Sequence, residues 1–141
     1  MEGEKLIELG SEELSTLKEF LAALTAERDA IISFSLEGII RENNRKEEIL
    51  KRLEYIEAEK EKLLIPLGDR AALEESEAWR SLGELLEARV REVKTALEKN
   101  MKLLSFSMDH VKSSLEKIIE FINRTSYEKG RSISIMVSRR V

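Results

Sequence analysis

The sequence contains no cysteine, one proline and one histidine among its 141 residues. Without cysteine the chain has no disulfide framework and no zinc–thiolate site. Six glycines and a single proline are too few turn residues for a sandwich or barrel built from many short strands. The glycines are also too far apart along the chain to form a phosphate-binding loop. These absences exclude most catalytic folds.

The residues that a helical enzyme needs are also scarce. A di-iron site in a helix bundle requires two Glu-x-x-His pairs, but the only histidine is His110, and Ser107 stands three residues before it. Arg28 lies on the apolar face of the first predicted helix, where a helical enzyme could use an arginine to hold an anionic substrate. A snorkelling side chain or an ion pair is the simpler interpretation of Arg28. We therefore expect no enzyme, no metal and no cofactor.

Long apolar runs are missing as well. None exceeds five residues, so we expect no membrane-spanning segment. The first residues are acidic, whereas a signal peptide begins with positive charge followed by an apolar core. We expect a cytoplasmic protein.

The charge is distributed unevenly. The formal net charge is −4, but the chain from Asn123 onwards carries five basic residues and one acidic residue. The rest of the chain is therefore acidic, whereas binding to nucleic acid phosphates requires a concentrated basic face. This distribution argues against a nucleic-acid partner.

The residues that are abundant favour long helices, since Ala, Glu, Lys, Leu and Arg make up more than half of the chain. The spacing predicts a first helix over about 11–33, with Ser11 as its N-cap, and a second over 35–65, capped by Ser35 and ended by Pro66 and Gly68. The alternative position for the break is the wholly polar stretch 41–48. A connector follows over 66–80.

The third predicted helix, 81–124, has the strongest pattern. It opens with the capping box Ser81-Leu82-Gly83-Glu84 and would be about 60 Å long. Its apolar residues recur every three or four positions: Leu82, Leu86, Val90, Val93, Leu97, Met101, Leu104, Met108, Val111, Leu115, Ile118 and Ile122. We predict an all-α, elongated antiparallel three-helix bundle or coiled coil over 1–126, with a very long last helix, and a flexible basic tail over 127–141.

The last third of this helix has a wider apolar arc, which includes Ile119 and Phe121 beside the main stripe. Two interpretations remain open. Either the first helix covers the wider arc, or the arc binds a partner, whether another protein or a second copy of the chain.

The sequence resembles the FlgN family of flagellar export chaperones. The similarity rests on Lys46-x-x-Ile49-Leu50-x-x-Leu53-x-x-Ile56-x-x-x-Lys60, on Asn100-x-x-Leu103-Leu104, on His110-Val111 and Leu115, and on Tyr127 followed by Gly130. These segments occur in the family's order and at similar spacing over roughly residues 11–131.

The resemblance implies a cytoplasmic chaperone that binds C-terminal helical segments of the hook-filament junction proteins FlgK and FlgL and delivers them to the type III export gate, without chemistry. It implies that Tyr127 docks on the gate protein FlhA. The expected client-binding residues are Leu104, Met108, Val111, Leu115, Ile118, Ile119 and Ile122. The alternative is a structural coiled-coil adaptor or oligomerisation subunit.

Overall fold

A computed structural model describes residues 2–65 and 70–125. It contains α1 (Glu2–Ile32), α2 (Leu36–Leu64), α3 (Arg70–Glu75) and α4 (Glu77–Thr125), and the described residues include no strand. The prediction of an all-α protein is therefore confirmed. The predicted tail 127–141, with Tyr127, lies outside the described residues. None of the described helices has an apolar stretch long enough to cross a membrane.

The first helix begins earlier than the sequence pattern predicts. The pattern predicts a start at Ser11, directly after Gly10, but α1 runs without interruption through both residues. Gly10 is buried, and a Cβ atom there would collide with the side chain of Leu82. This glycine is therefore a point of close approach between two helices rather than a helix end.

The turn between α1 and α2 lies where the sequence predicts it. The N–H of Ser35 donates to the carbonyl of Ala30 at 2.8 Å, and the N–H of Phe34 donates to that of Ile31 at 3.1 Å. These two bonds form a Schellman motif, and Phe34 occupies its left-handed position with φ of 56°. Ser35 then caps α2, since its hydroxyl accepts a hydrogen bond from the N–H of Gly38 at 3.1 Å.

The polar stretch 41–48 is helical, so the alternative break there is wrong. Two of its residues point inwards rather than to solvent: Glu42 is buried, and the ammonium of Lys46 lies 2.6 Å from the carboxylate of Glu27. The inner face of α2 thus continues through polar residues to Ile49.

The last helix also begins before its predicted start at Ser81. Ser76 caps α4, because its hydroxyl accepts a hydrogen bond from the N–H of Trp79 at 3.4 Å and its carbonyl accepts one from Arg80 at 3.1 Å. Gly83, which we placed in a capping box, is exposed inside the helix. The N–H of Ser76 also donates to the carbonyl of Leu73 at 3.0 Å, so this residue follows the end of α3 and caps the start of α4.

The chain forms two compact units, Met1–Leu103 and Leu104–Val141, and α4 contributes to both. In the first unit α1 and α2 are antiparallel, tied by ion pairs between Glu13 and Lys60 at 2.8 Å and between Glu19 and Arg52. The first part of α4 packs on this hairpin around a shared core. That core contains Leu17, Phe20, Ala23, Leu24, Ile49 and Val93.

Candidate partner-binding surface

The second unit, as far as it is described, is a single helical segment from Leu104 to Thr125. A continuous helix fixes which side chains share a face, since each residue advances by about 100° around the axis. The helix ends with Arg124 in its last turn, where positive charge suits the helix dipole. The hydroxyl of Thr125 donates to the carbonyl of Phe121 at 2.8 Å.

All seven expected client-binding residues lie on one side of this segment. We call this side the apolar face; it consists of Leu104, Met108, Val111, Leu115, Ile118, Ile119 and Ile122. Met108, Val111 and Ile118 are each more than half exposed, at 65 %, 53 % and 55 %. Leu104 is also exposed, whereas Leu115, Ile119 and Ile122 are half-buried. Several large exposed apolar side chains on one side of a helix are typical of a surface that binds a partner.

Two aromatic side chains lie outside these seven positions. Phe121 is exposed and adjoins the apolar face next to Ile118, three residues away on the helix. Phe106 is also exposed, but it lies on the far side of the helix, about 140° from Val111. Phe121 therefore widens the apolar face, whereas Phe106 does not belong to it.

The first unit contains a buried polar cluster that joins three helices. The side-chain amide of Asn100 in α4 donates to the carbonyl of Leu24 at 2.8 Å and to the carboxylate of Glu27 at 3.0 Å. The other oxygen of Glu27 lies 2.6 Å from the ammonium of Lys46 in α2. Both partners are hydrogen-bond acceptors, so the NH2 group of the Asn100 amide, and not its oxygen, must face them. We call Glu27, Lys46 and Asn100 the polar cluster.

The chain matches a known protein family. The profile described as FlgN protein matches residues 1–132. The chain belongs to the FlgN family. This family is a chaperone family that is linked to flagellar export, and it is not known for enzymatic activity. Comparisons with curated proteins and with solved structures find no significant match.

Two residues that suggested the FlgN resemblance therefore have a structural explanation. Lys46 and Asn100 are far apart in the sequence, but both contact Glu27 within the polar cluster. The apolar pattern of the sequence does not predict this arrangement, because it places Met101 in the seam. In the structure Met101 is exposed and Asn100 is buried. The spacing does indicate that Asn100 faces inwards, since it lies three residues after Leu97 and four before Leu104 and therefore shares their helix face.

Arg28 does not form the buried substrate-holding site that its position suggested. It is exposed and lines an open groove of about 360 Å³ between α1 and α4, together with Arg91 and Lys99. Within the described part of this FlgN chain, no group of three or more His, Asp or Glu residues could hold a metal ion.

Proposed function

We propose that this FlgN chain is a cytoplasmic type III flagellar export chaperone that binds the hook-filament junction proteins FlgK and FlgL. The observation that carries the proposal is the exposed apolar face on a chain of the FlgN family. The client would lay an amphipathic helix from its C-terminal segment along that face.

The physical basis is burial of apolar surface. Covering a Val, Leu, Ile or Met side chain contributes about 1.5–3 kcal/mol relative to leaving it exposed. Several such side chains along one helix provide enough binding energy for a reversible complex after the costs of association. Covering the client's own apolar stripe would prevent its premature polymerisation, and the complex needs neither ATP nor covalent chemistry.

The deciding experiment mixes the full-length protein with C-terminal segments of FlgK or FlgL and measures the mass of the complex. We expect a complex with one client segment. No binding at tens of micromolar, together with a tight self-assembled trimer or tetramer, would instead favour the adaptor or oligomerisation function.

The variant Ile118→Asp tests the apolar face itself. We expect it to abolish client binding, because the charge would be buried against the client without a partner. Ser113→Asp is the matched control, since Ser113 is exposed on the opposite side of the same helix and should retain binding. Unchanged affinity of Ile118→Asp with only a lower melting temperature would place Ile118 in the protein's own core.

Delivery of the bound client to the export gate would use a residue outside the apolar face. We propose that Tyr127 docks on the export gate protein FlhA. The variant Tyr127→Ala should bind FlgK or FlgL as tightly as the unmodified chain but bind FlhA and support export less well. An equal loss of both activities would contradict this division of roles.

A further inference from the structure

The charged residues beside the apolar face carry one sign. Around α4, the face including Phe121 extends over about 160°, from Phe121 at one edge to Ile119 at the other. Lys112 lies about 20° beyond Ile119, and His110 and Lys117 lie about 20° and 40° beyond Phe121. The nearest charged side chain at each edge is therefore a lysine.

The carboxylates of the same segment lie further away. Asp109, Glu116 and Glu120 are all at least about 60° beyond either edge, towards the opposite side of the helix. Lys112 and Lys117 are both exposed. Neither forms an ion pair with any residue in the described part of the chain. A protein with net charge −4 thus presents its apolar face between cationic edges.

We propose that the apolar face selects an amphipathic helix that carries carboxylates along both sides of its apolar stripe. Charges that flank an apolar seam contact the partner helix and determine which partner pairs with it. Lys112 and Lys117 would be specificity-determining residues that favour Glu or Asp at the flanking positions of the client. This inference rests on the proposed function for the use of the face and adds the chemistry of its partner.

Charge also disfavours two other occupants. A second copy would bring the same lysine edges to the interface, with no carboxylate near either edge to pair with them. The chain's own segment 127–141 carries four basic residues and one acidic residue, so its net charge has the same sign as the lysine edges. Like charges placed opposite each other penalise the incorrect partner.

The test uses two synthetic helical peptides that share the same leucine stripe over about three heptads. One has glutamate at the flanking positions and the other has lysine. Full-length protein should bind the glutamate peptide about tenfold more tightly at low salt, because each exposed ion pair contributes little but the pairs at Lys112 and Lys117 act together. The preference should decrease as salt is added. Equal affinity for the two peptides, or no binding of either, would overturn the proposal.

The double variant Lys112→Glu/Lys117→Glu should reverse the preference. The double variant Lys94→Glu/Lys102→Glu is the matched control, since it changes the net charge equally at two exposed positions of α4 in the first unit. A control that altered the preference as strongly as the test variant would show a general charge effect and contradict the proposal.

Failure of this inference can be distinguished from failure of the proposed function. If Ile118→Asp abolishes FlgK or FlgL binding but the two peptides bind equally, the face binds clients and the selection by charge is wrong. If the glutamate peptide is preferred but neither junction protein binds, the selection by charge holds and the proposed clients are wrong.

Discussion

At the scale of single residues, three helical glycines have very different surroundings. Gly10 is packed against Leu82, and Gly38 is buried next to Ala30 in the α1–α2 turn region. Gly83 is exposed, and a Cβ atom there would have no neighbour within 4 Å. The sequence pattern does not separate these glycines, because it gives no information on what packs against each one. Only the packing of the neighbouring residues distinguishes a required glycine from a replaceable one.

The same substitution should therefore have opposite effects at two of these positions. Gly83→Ala should stabilise the protein by about 0.5–1 kcal/mol, because alanine favours the helix and meets no obstacle. Gly38→Ala should destabilise it by about 1–3 kcal/mol, since the new Cβ would lie 2.9 Å from the Cβ of Ala30, which moves only with its backbone. Urea denaturation of both variants measures the difference. A gain in stability at Gly38 would contradict the close packing described for the turn.

At the scale of elements, the polar cluster fixes the relative positions of α1, α2 and α4. Glu27 is only 8 % exposed, yet it accepts from Asn100 and pairs with Lys46. The α1–α2 break at Ser33–Ser35 was predictable, because Ser35 is a good cap and its chemistry is local. The inward direction of Lys46 was not predictable, because it depends on a carboxylate nineteen residues earlier on another helix. The apolar seam was assigned to Met101 because this side chain is apolar, although the spacing from Leu97 and to Leu104 places Asn100 on the same face.

We expect Lys46→Met to destabilise the protein by about 3–5 kcal/mol, because it leaves the buried carboxylate of Glu27 without its cation. Adding Glu27→Gln should recover part of this loss, with a coupling free energy of about 0.5–3 kcal/mol. Arg52→Met is the control, since the Arg52–Glu19 pair is about half exposed and should cost less than about 1 kcal/mol. Thermal and denaturant unfolding of the unmodified chain, of Lys46→Met, of Glu27→Gln and of the double variant complete the double-mutant cycle. Equal costs for Lys46→Met and Arg52→Met would show that the polar cluster is no more important than a surface pair.

At the scale of the whole molecule, the two units differ in how much they bury. The first unit has a core shared by three helices, whereas no described residue from Leu104 to Thr125 is fully buried. The apolar periodicity predicted which residues of the second unit share a face. It did not distinguish a face that covers the protein's own core from one that stays exposed, because both have the same spacing.

Amide hydrogen exchange should reveal this difference. The backbone amides of α4 up to Leu103 should exchange at least about tenfold more slowly than those from Leu104 onwards, because few buried contacts oppose local opening of the second unit. Adding a FlgK or FlgL segment should slow exchange selectively in the second unit. Uniform exchange along α4 without a client would contradict the contrast in burial.

The contact between Gly10 and Leu82 has a consequence for shortened forms of the protein. The sequence pattern predicts that the first helix starts at Ser11, but the ten residues before it include Leu6, which is fully buried. A chain that began at Ser11 would lose this side chain and uncover Leu82 at the start of α4. The smallest fragment that retains the complete fold of the first unit must therefore include the first turns of α1.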